Sequence, residues 1–512
     1  MTSSRILLLF LILAAFGSAF AQGREATFVK DEVLVKFDRR ATDSLRSGAH
    51  RLAGSQRLKV LGDLGWERVR IAPGQTVEQA IKRYSQNPNV RHVQPNYYYQ
   101  LAVTPDDPQF QDLYGLSKIS APAAWDITTG SRDVIVANID TGMRLTHEDL
   151  VANIWTNPGE IAGNGIDDDN NGFIDDVHGW DFRYDDNDPT DQNGHGTHVA
   201  GTIGAAGNNA IGVVGVNRAV TIMAIKIYSP SGGDTTSAML INAYNYVRMM
   251  KERGINIRVT NNSYGGCQEA CGYDQATRDA IEVLGNAGIL NVFAAGNGGV
   301  NIDNSPFYPA SYNLSSILSV GGSNSLDNRV FNYGAESVDL AAPGVSILST
   351  TNGSNSSYGN SSGTSMSTPH VSGAAALLAA QYPEMSVASL KATLMNSVDK
   401  LPQFDGFNRT GGRLNVFGAL SAPTVCDFNL STKSIDVPTK GGYFEIDVAA
   451  PANCEFSAKS NAIWVRVLNT GARSGGGTVS LQIAVNPTIT RSATVEIAGQ
   501  EITVNQYRMR GN

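Results

Sequence analysis

The sequence predicts an α/β protein: a parallel sheet covered by helices on both faces, preceded by a small α+β unit and followed by an all-β sandwich. Three patterns carry this reading. Between about 104 and 421, near-continuous apolar runs alternate with helical stretches, whereas strands wet on one face would alternate polar with apolar. From 31 to 100, short strand and helix patterns follow in the order βαββαβ. From 426 to 507, only short alternating strands occur, broken by turn signals.

The elements follow in order. Residues 1–21, MTSSRILLLFLILAAFGSAFA, hold one cation (Arg5), an apolar run from Ile6 to Phe16 and the small-x-small site Ala19-Phe20-Ala21. This predicts a secretory signal peptide cleaved before Gln22, too short in its apolar part for a stop-transfer helix. No later run approaches a membrane span, so a secreted, extracellular protein with no membrane partner is expected. A net charge of -8 with 17% charged residues offers no basic face, which argues against nucleic acid.

In 22–103 the runs DEVLVKF, RLKVLGDLGWERVRI, TVEQAIKRYSQ and VRHVQPNYYY give a ferredoxin-like βαββαβ unit. A polar connector, TPDDPQFQD, separates it from the next block. In 104–421, VIVANID, TIMAIKIYS, IRVTNNS and ILNVFAAGN read as buried strands. THVAGTIGA, TTSAMLINAYNYVRMMKERG and QATRDAIEVLGNAG read as the helices between them, which implies a parallel sheet. The Ser/Asn/Gly-rich run from Asn352 to Gly363 reads as a loop. In 426–507, YFEIDVAA, WVRVLN, TVSLQIAV, ATVEIAG and EITVNQY are strands, punctuated by Thr439-Lys440-Gly441-Gly442 and Gly475-Gly476-Gly477.

In open parallel sheets, functional groups collect beyond the carboxyl ends of strands. Asp140, Ser263 and Asn297 fall there, and His195 and Ser365 begin helices. A serine hydroxyl is a poor nucleophile at neutral pH and needs a base, plus a third group that fixes the base's tautomer. Asp140, His195 and Ser365 supply those parts. Asn297, between Gly296 and Gly298, and the Ser365 N–H at a helix start are suited to receive a developing oxyanion. His370 lies five residues after Ser365, off its helix face. His198 shares a helix with His195, but the zinc-protease pattern HExxH is missing because Gly196 follows His195. Both read as structural.

IDTGMRLTHEDL, NGHGTHVAGT, NNSYGG, AAGN and GTSMSTPHVSG, in this order, resemble the subtilisin-like serine proteases, the subtilase family. The resemblance covers the whole middle block. It implies a subtilisin-like fold with Asp140 as orienter, His195 as base and acid, Ser365 as nucleophile and Asn297 as oxyanion donor. Losing such an amide is known in this family to cost about 10²–10³ in turnover. It further implies a substrate cleft lined by Ser263, Tyr264, Gly265, Ala295 and Gly296, with Phe307 and Tyr308 on the far wall of the primary pocket. With no charge there, apolar or aromatic side chains before the cut bond are expected. The 22–103 unit resembles the inhibitory propeptide of the family, with self-cleavage between Tyr97 and Thr104. The 426–507 block resembles a BACON-type immunoglobulin-like domain, for which attachment to glycans or surfaces, or a spacer role, is implied.

Calcium is the expected cofactor, since hard oxygen ligands in number suit it and not zinc. The family's tight site is resembled by Asp107, Asp149 and Asn209 with carbonyls of Gly207, Ile211 and Val213. The medium-affinity site of thermitase-like members is resembled by Asp181, Asp186, Asp188, Thr190 and Gln192. A third acidic stretch, GIDDDNNGFIDD from Gly165, fails as an EF-hand because His178 stands where a bidentate glutamate belongs. There, an ion held by Asp167, Asp169, Asn171 and Asp175 and a solvated loop both remain open. The four cysteines are expected to pair as Cys267–Cys271 and Cys426–Cys454, since export favours disulfides and no further cysteine or histidine pair has zinc spacing.

The sequence thus predicts a secreted, calcium-stabilised, monomeric serine endopeptidase acting on proteins, made as a precursor inhibited by its own propeptide. The alternative is a calcium-dependent extracellular adhesive protein with an inactive protease fold.

Overall fold

The computed structural model describes residues 28–97, 104–266, 273–486 and 490–507. The signal peptide, Cys267 and Cys271, and all residues between Tyr97 and Thr104 lie outside the described residues. The chain divides into two compact units, 1–101 and 102–512.

In the first unit β1 (Phe28–Phe37), α1 (Asp43–Ala53), β2 (Gln56–Leu61), β3 (Trp66–Arg70), α2 (Val77–Ser85) and β4 (Val90–Tyr97) follow in the predicted order. The sheet is antiparallel in the order β2-β3-β1-β4, as a ferredoxin-like unit requires. Both helices begin where the sequence offers a cap. Thr42 accepts from the Leu45 N–H, and Thr76 forms a capping box with Gln79. Val33, Val35, Phe37 and Val69 of the sheet bury themselves against Ala80 and Tyr84 of α2.

The second unit begins with short helices α3 (Tyr114–Lys118) and α4 (Ala121–Trp125), then β5 (Gly130–Asp140), β6 (Gly179–Asp181), α5 (His195–Gly204) and β7 (Ala219–Lys226). There follow α6 (Ser237–Glu252), β8 (Ile257–Asn262), α7 (Gln275–Asn286), β9 (Leu290–Ala294), β10 (Ile317–Ser323), β11 (Arg329–Val330) and β12 (Leu340–Pro343). Next come β13 (Ile347–Thr350), β14 (Tyr358–Ser361), α8 (Thr364–Gln381), α9 (Val387–Asn396), β15 (Asp399–Lys400), β16 (Gly412–Arg413) and α10 (Val416–Ser421). The central sheet runs β15-β16-β12-β10-β9-β8-β5-β7-β6, with β11 paired to β10. It is parallel except for β11 and β15.

Successive residues of β5 explain its unbroken apolar run. Val134 and Val136 pack with Val199, Ile203, Ala374 and Leu377 of α5 and α8 on one face. Ile135, Ala137 and Ile139 pack with Tyr244, Val247, Ile281 and Leu284 of α6 and α7 on the other. Each large apolar side chain buried in this way contributes about 1.5–3 kcal/mol. The Asn352 to Gly363 stretch is not all loop, because β14 pairs antiparallel with β13. Its Tyr-Gly-Asn-Ser sequence has no apolar alternation to show a strand.

The chain ends in two four-stranded sheets. One is built from Asn429–Leu430, Gly442–Ala449, Val465–Val467 and Gly477–Ile483, the other from Ser434–Val437, Ala458–Ser460, Arg491–Ile497 and Gln500–Gln506. Ile446, Val479, Leu481, Val495 and Ile502 fill the space between them. The expected Cys426–Cys454 disulfide is formed, with Cα atoms 5.4 Å apart. Next to it, Glu455 is buried against the α/β region. It accepts from Lys391 of α9 at 2.7 Å and also pairs with Arg409, while Asp339 lies 3.5 Å from the same Lys391 ammonium. Burial alone would lower the Lys391 pKa, but Asp339 and Glu455 more than offset it and raise it.

Candidate active site

β5 is flanked by β7 on one side and β8 on the other, so the chain reverses its winding there. A parallel sheet opens a crevice at such a point, beyond the strand carboxyl ends. Asp140 ends β5, Ser263 directly follows β8 and Asn297 lies just past β9.

His195 opens α5, and its Nδ1 lies 2.7 Å from Asp140 Oδ1. Asp140 is 1% exposed, while the His195 side chain keeps 32% of its surface. Burial would lower the imidazole pKa, but the Asp140 charge and hydrogen bond, aided by Asp191, leave it above the usual 6.5. α5 has no side-chain cap at Gly194. Buried Asp191 does that work from three residues upstream. Its carboxylate accepts from the N–H groups of Asn193, Gly194 and Thr197 and from the hydroxyls of Thr197 and Thr141. Thr141 in turn accepts from Gly196 N–H at 2.9 Å. Asp191 and Thr141 were missed by sequence reasoning, and the available signal was an acid shortly before a helix that lacks its own cap.

Ser365 stands in the first turn of α8. Pro369 has no N–H, so the Ser365 carbonyl four residues earlier has no helical partner. The Ser263 hydroxyl donates to that carbonyl at 3.0 Å, and the Ser365 hydroxyl donates back to the Ser263 carbonyl at 3.0 Å. Ser365 Oγ is therefore held on the cleft wall, and among the described residues it makes no hydrogen bond to His195.

Asn297 is exposed, and its Oδ1 accepts from the Thr364 N–H at 2.8 Å and the Thr364 hydroxyl at 3.0 Å. This leaves the Nδ2 hydrogens without a partner among the described residues, beside the start of α8. Thr364, another residue missed from sequence, also accepts from Gly296 N–H at 3.0 Å. The two other histidines are structural, as read. His198 Nε2 faces the Ile347 and Gly359 carbonyls, His370 Nδ1 faces Met366 O, and burial lowers each pKa to about 4.

These parts can take a proton from a serine, hold the resulting imidazolium and donate to an oxyanion. Residues 131–419, more than half of the chain, match the profile of the subtilase family, peptidase S8. The chain belongs to the subtilase family. Residues 14–96 match the fervidolysin N-terminal prodomain. The chain is 31% identical to the thermophilic serine proteinase of Bacillus sp. (strain AK1) over 78% of this chain and 89% of the relative. It is 36% identical to thermitase of Thermoactinomyces vulgaris over 62% of this chain and 99% of the relative. Fervidolysin from Fervidobacterium pennivorans, at 18% identity, shares the fold with a TM-score of 0.50 over 94% of this chain and 91% of that one. The protein is thus a subtilisin-like serine endopeptidase with a prodomain.

Ser263, Tyr264 and Gly265 after β8 and Ala295 and Gly296 after β9 are the two walls expected of a substrate cleft, and Phe307 packs onto Ala295, Ile302 and Val338. Tyr264 turns away from the cleft, its hydroxyl bonded to Asn262 and Tyr244.

The predicted metal ligands are brought together unevenly. At the first set, Asp149 is fully buried with no ion-pair partner among the described residues, accepting from Asn209 Nδ2 at 2.9 Å and Val213 N–H at 2.8 Å. Asp107 reaches the backbone N–H groups of Asn208 and Asn209. Burial raises the pKa of both acids. An unpaired buried carboxylate beside Asn209 and the Gly207, Ile211 and Val213 backbone fits a hard cation. The second set fits less well. Asp181 is held 2.7 Å from the Lys226 ammonium, both buried, so its charge is already balanced and it is removed from the ligand set. Asp186 and Asp188 turn their oxygens to the N–H groups of Asp188 and Thr190 in successive tight turns, with Gln192 beyond. At the third stretch Glu160, Asp169 and Asp176 place carboxylate oxygens within 4.8 Å of one another, the acidic cluster that could hold a metal among the described residues. Of its members only Asp169 figured in the sequence reading. Glu160 lies outside the motif, and Asp175 instead binds the Gly163, Asn164 and Gly165 N–H groups.

Proposed function

We propose that the chain is a secreted, calcium-stabilised endopeptidase that cuts proteins through Asp140, His195 and Ser365, with Asn297 receiving the oxyanion. The Asp140–His195 hydrogen bond at 2.7 Å, with Ser365 and the free Asn297 amide beside it, is the observation that carries this reading. Ser365 Oγ leaves the Ser263 carbonyl, passes its proton to His195 Nε2 and bonds to the peptide carbonyl carbon. The carbonyl oxygen becomes an oxyanion facing Asn297 Nδ2 and the Ser365 N–H, one of the helix's first and unpaired donors. His195 then gives the proton to the departing amine, and water repeats the sequence on the acyl-enzyme. Asp140 keeps Nδ1 protonated and balances the imidazolium.

The proposed organisation is a signal peptide over 1–21, an inhibitory propeptide over 22–103, the catalytic domain over 104–421 and a sandwich over 426–507. Calcium is proposed at Asp107, Asp149, Asn209 and the Gly207, Ile211 and Val213 carbonyls, and at Asp186, Asp188, Thr190 and Gln192. When bound it would supply charge to balance these acids and brace the loops. The Asp140–His195 hydrogen bond favours this reading over an adhesive protein with a vestigial site. The test is Ser365→Ala, which should abolish both release of the mature form and casein cleavage. Full processing and cleavage by that variant would sink the assignment.

A further inference from the structure

We propose that Phe307 fills the pocket for the side chain preceding the cut bond, so that the enzyme selects small uncharged residues, alanine, serine or glycine, there. This rests on the protease reading above and names the substrate class of that same site. Once a peptide carbonyl lies between Ser365 Oγ and Asn297 Nδ2, with its chain along the 263–265 edge, the side chain of that residue enters between the two cleft walls. Both walls are anchored at the nucleophile. Ser263 clasps Ser365 through two hydrogen bonds, and Gly296 donates to Thr364 at its side.

The Phe307 ring lies across that slot. A Cβ added to Gly265 would meet its Cε1 at 1.9 Å and Cζ at 2.3 Å. A Cβ added to Gly296, on the opposite wall, would meet Asn332 Nδ2 at 2.5 Å and then the Phe307 ring at Cζ, 2.9 Å, and Cε1, 3.0 Å. Carbon atoms in contact prefer about 3.5–4.0 Å. One ring edge therefore rests against both glycines: phenylalanine takes the room beside Gly265 and shares that beside Gly296 with Asn332. On this proposal a second ring has no place in the slot, which narrows the apolar or aromatic side chains expected from the sequence to small ones. The ring is not on a loose tether. The Phe307 N–H donates to Ser311 Oγ at 2.9 Å, the Phe307 carbonyl accepts from Ser311 N–H at 3.0 Å, and the side chain packs on Ala295, Ile302 and Val338. The next residue's carbonyl accepts from Gly266 N–H at 2.7 Å, fixing this segment to the opposite wall.

The test uses the mature enzyme and quenched peptides identical except for alanine, serine, leucine or phenylalanine before the cut bond. Wild type should show kcat/KM for alanine and serine at least tenfold above that for phenylalanine. Phe307→Gly should raise phenylalanine cleavage at least tenfold and invert the ratio, with Phe307→Ala intermediate. Should these variants fold poorly, inactivation of wild type by chloromethyl ketones bearing alanine or phenylalanine gives the same ratio. Equal or faster cleavage at phenylalanine by wild type, in an enzyme that a fluorophosphonate still labels, would overturn the proposal alone. Failure of both labelling and all peptide cleavage would overturn the protease reading and this inference with it.

Discussion

Replacing Glu455 with glutamine tests how the sandwich is held. Glu455 and Asp339 face Lys391 and Arg409, so Glu455→Gln leaves two cations with one anion in a place water barely reaches. Arg409, whose side chain is 32% exposed, can turn to solvent, whereas the Lys391 side chain, 4% exposed, cannot. Removing one partner of a buried ion pair costs about 3–5 kcal/mol. Asp339 remains 3.5 Å from the ammonium and the substituted amide can still accept a hydrogen bond, which brings the expected loss to roughly 2–3 kcal/mol. The measurement is urea unfolding at pH 7 in a Ser365→Ala background, which suppresses autolysis. The midpoint should fall at an unchanged slope. A double-mutant cycle with Lys391→Met should give a coupling of at least about 1 kcal/mol. A loss below about 0.5 kcal/mol with no coupling would refute the argument that these charges brace the two domains.

Three further outcomes are expected. Since the His195 pKa is raised and the base must be neutral, kcat/KM should rise with pH through an inflection above 6.5, and Asp140→Asn should move that inflection down while cutting turnover about 10⁴-fold. The charged imidazole also favours the folded state. That contribution is complete below the unfolded pKa near 6.5 and is lost as pH rises through the folded value. Cys454→Ser opens a cross-link of sequence separation 28 and should cost about 3–4 kcal/mol in the unfolding of the sandwich, read by its denaturation midpoint. Chelation should lower the melting temperature and hasten autolysis, and re-adding calcium should restore both. No change in either would remove the metal assignment.

The three-part architecture was legible because its periods differ. VIVANID could only be a strand covered twice, and YFEIDVAA one covered once. Asp140, His195, Ser365 and Asn297 stand out in the sequence because each lies at an element end with a short motif around it, and the structure places Asp140 2.7 Å from His195. What escaped were partners whose role exists only after folding. Asp191 caps a helix from outside it, Thr364 holds an amide from another segment, and Lys226 reaches Asp181 from a neighbouring strand. The ring of Phe307 shows the same limit. The resemblance implied a place for it on the pocket's far wall, but that its ring edge lies against Gly265 and Gly296 appears only after folding.

The two bonds from Thr364 to Asn297 have a mechanical consequence. The acceptor half of the carboxamide is tied to the residue next to Ser365, so in the proposed mechanism the donor half is aimed by the same helix that carries the attacking oxygen. If α8 shifts, attacker and stabiliser travel together, and their spacing is insulated from movement of the cleft walls. An aspartate at this position would keep both ties and still defeat the site, because it would present a negative charge where the oxyanion forms.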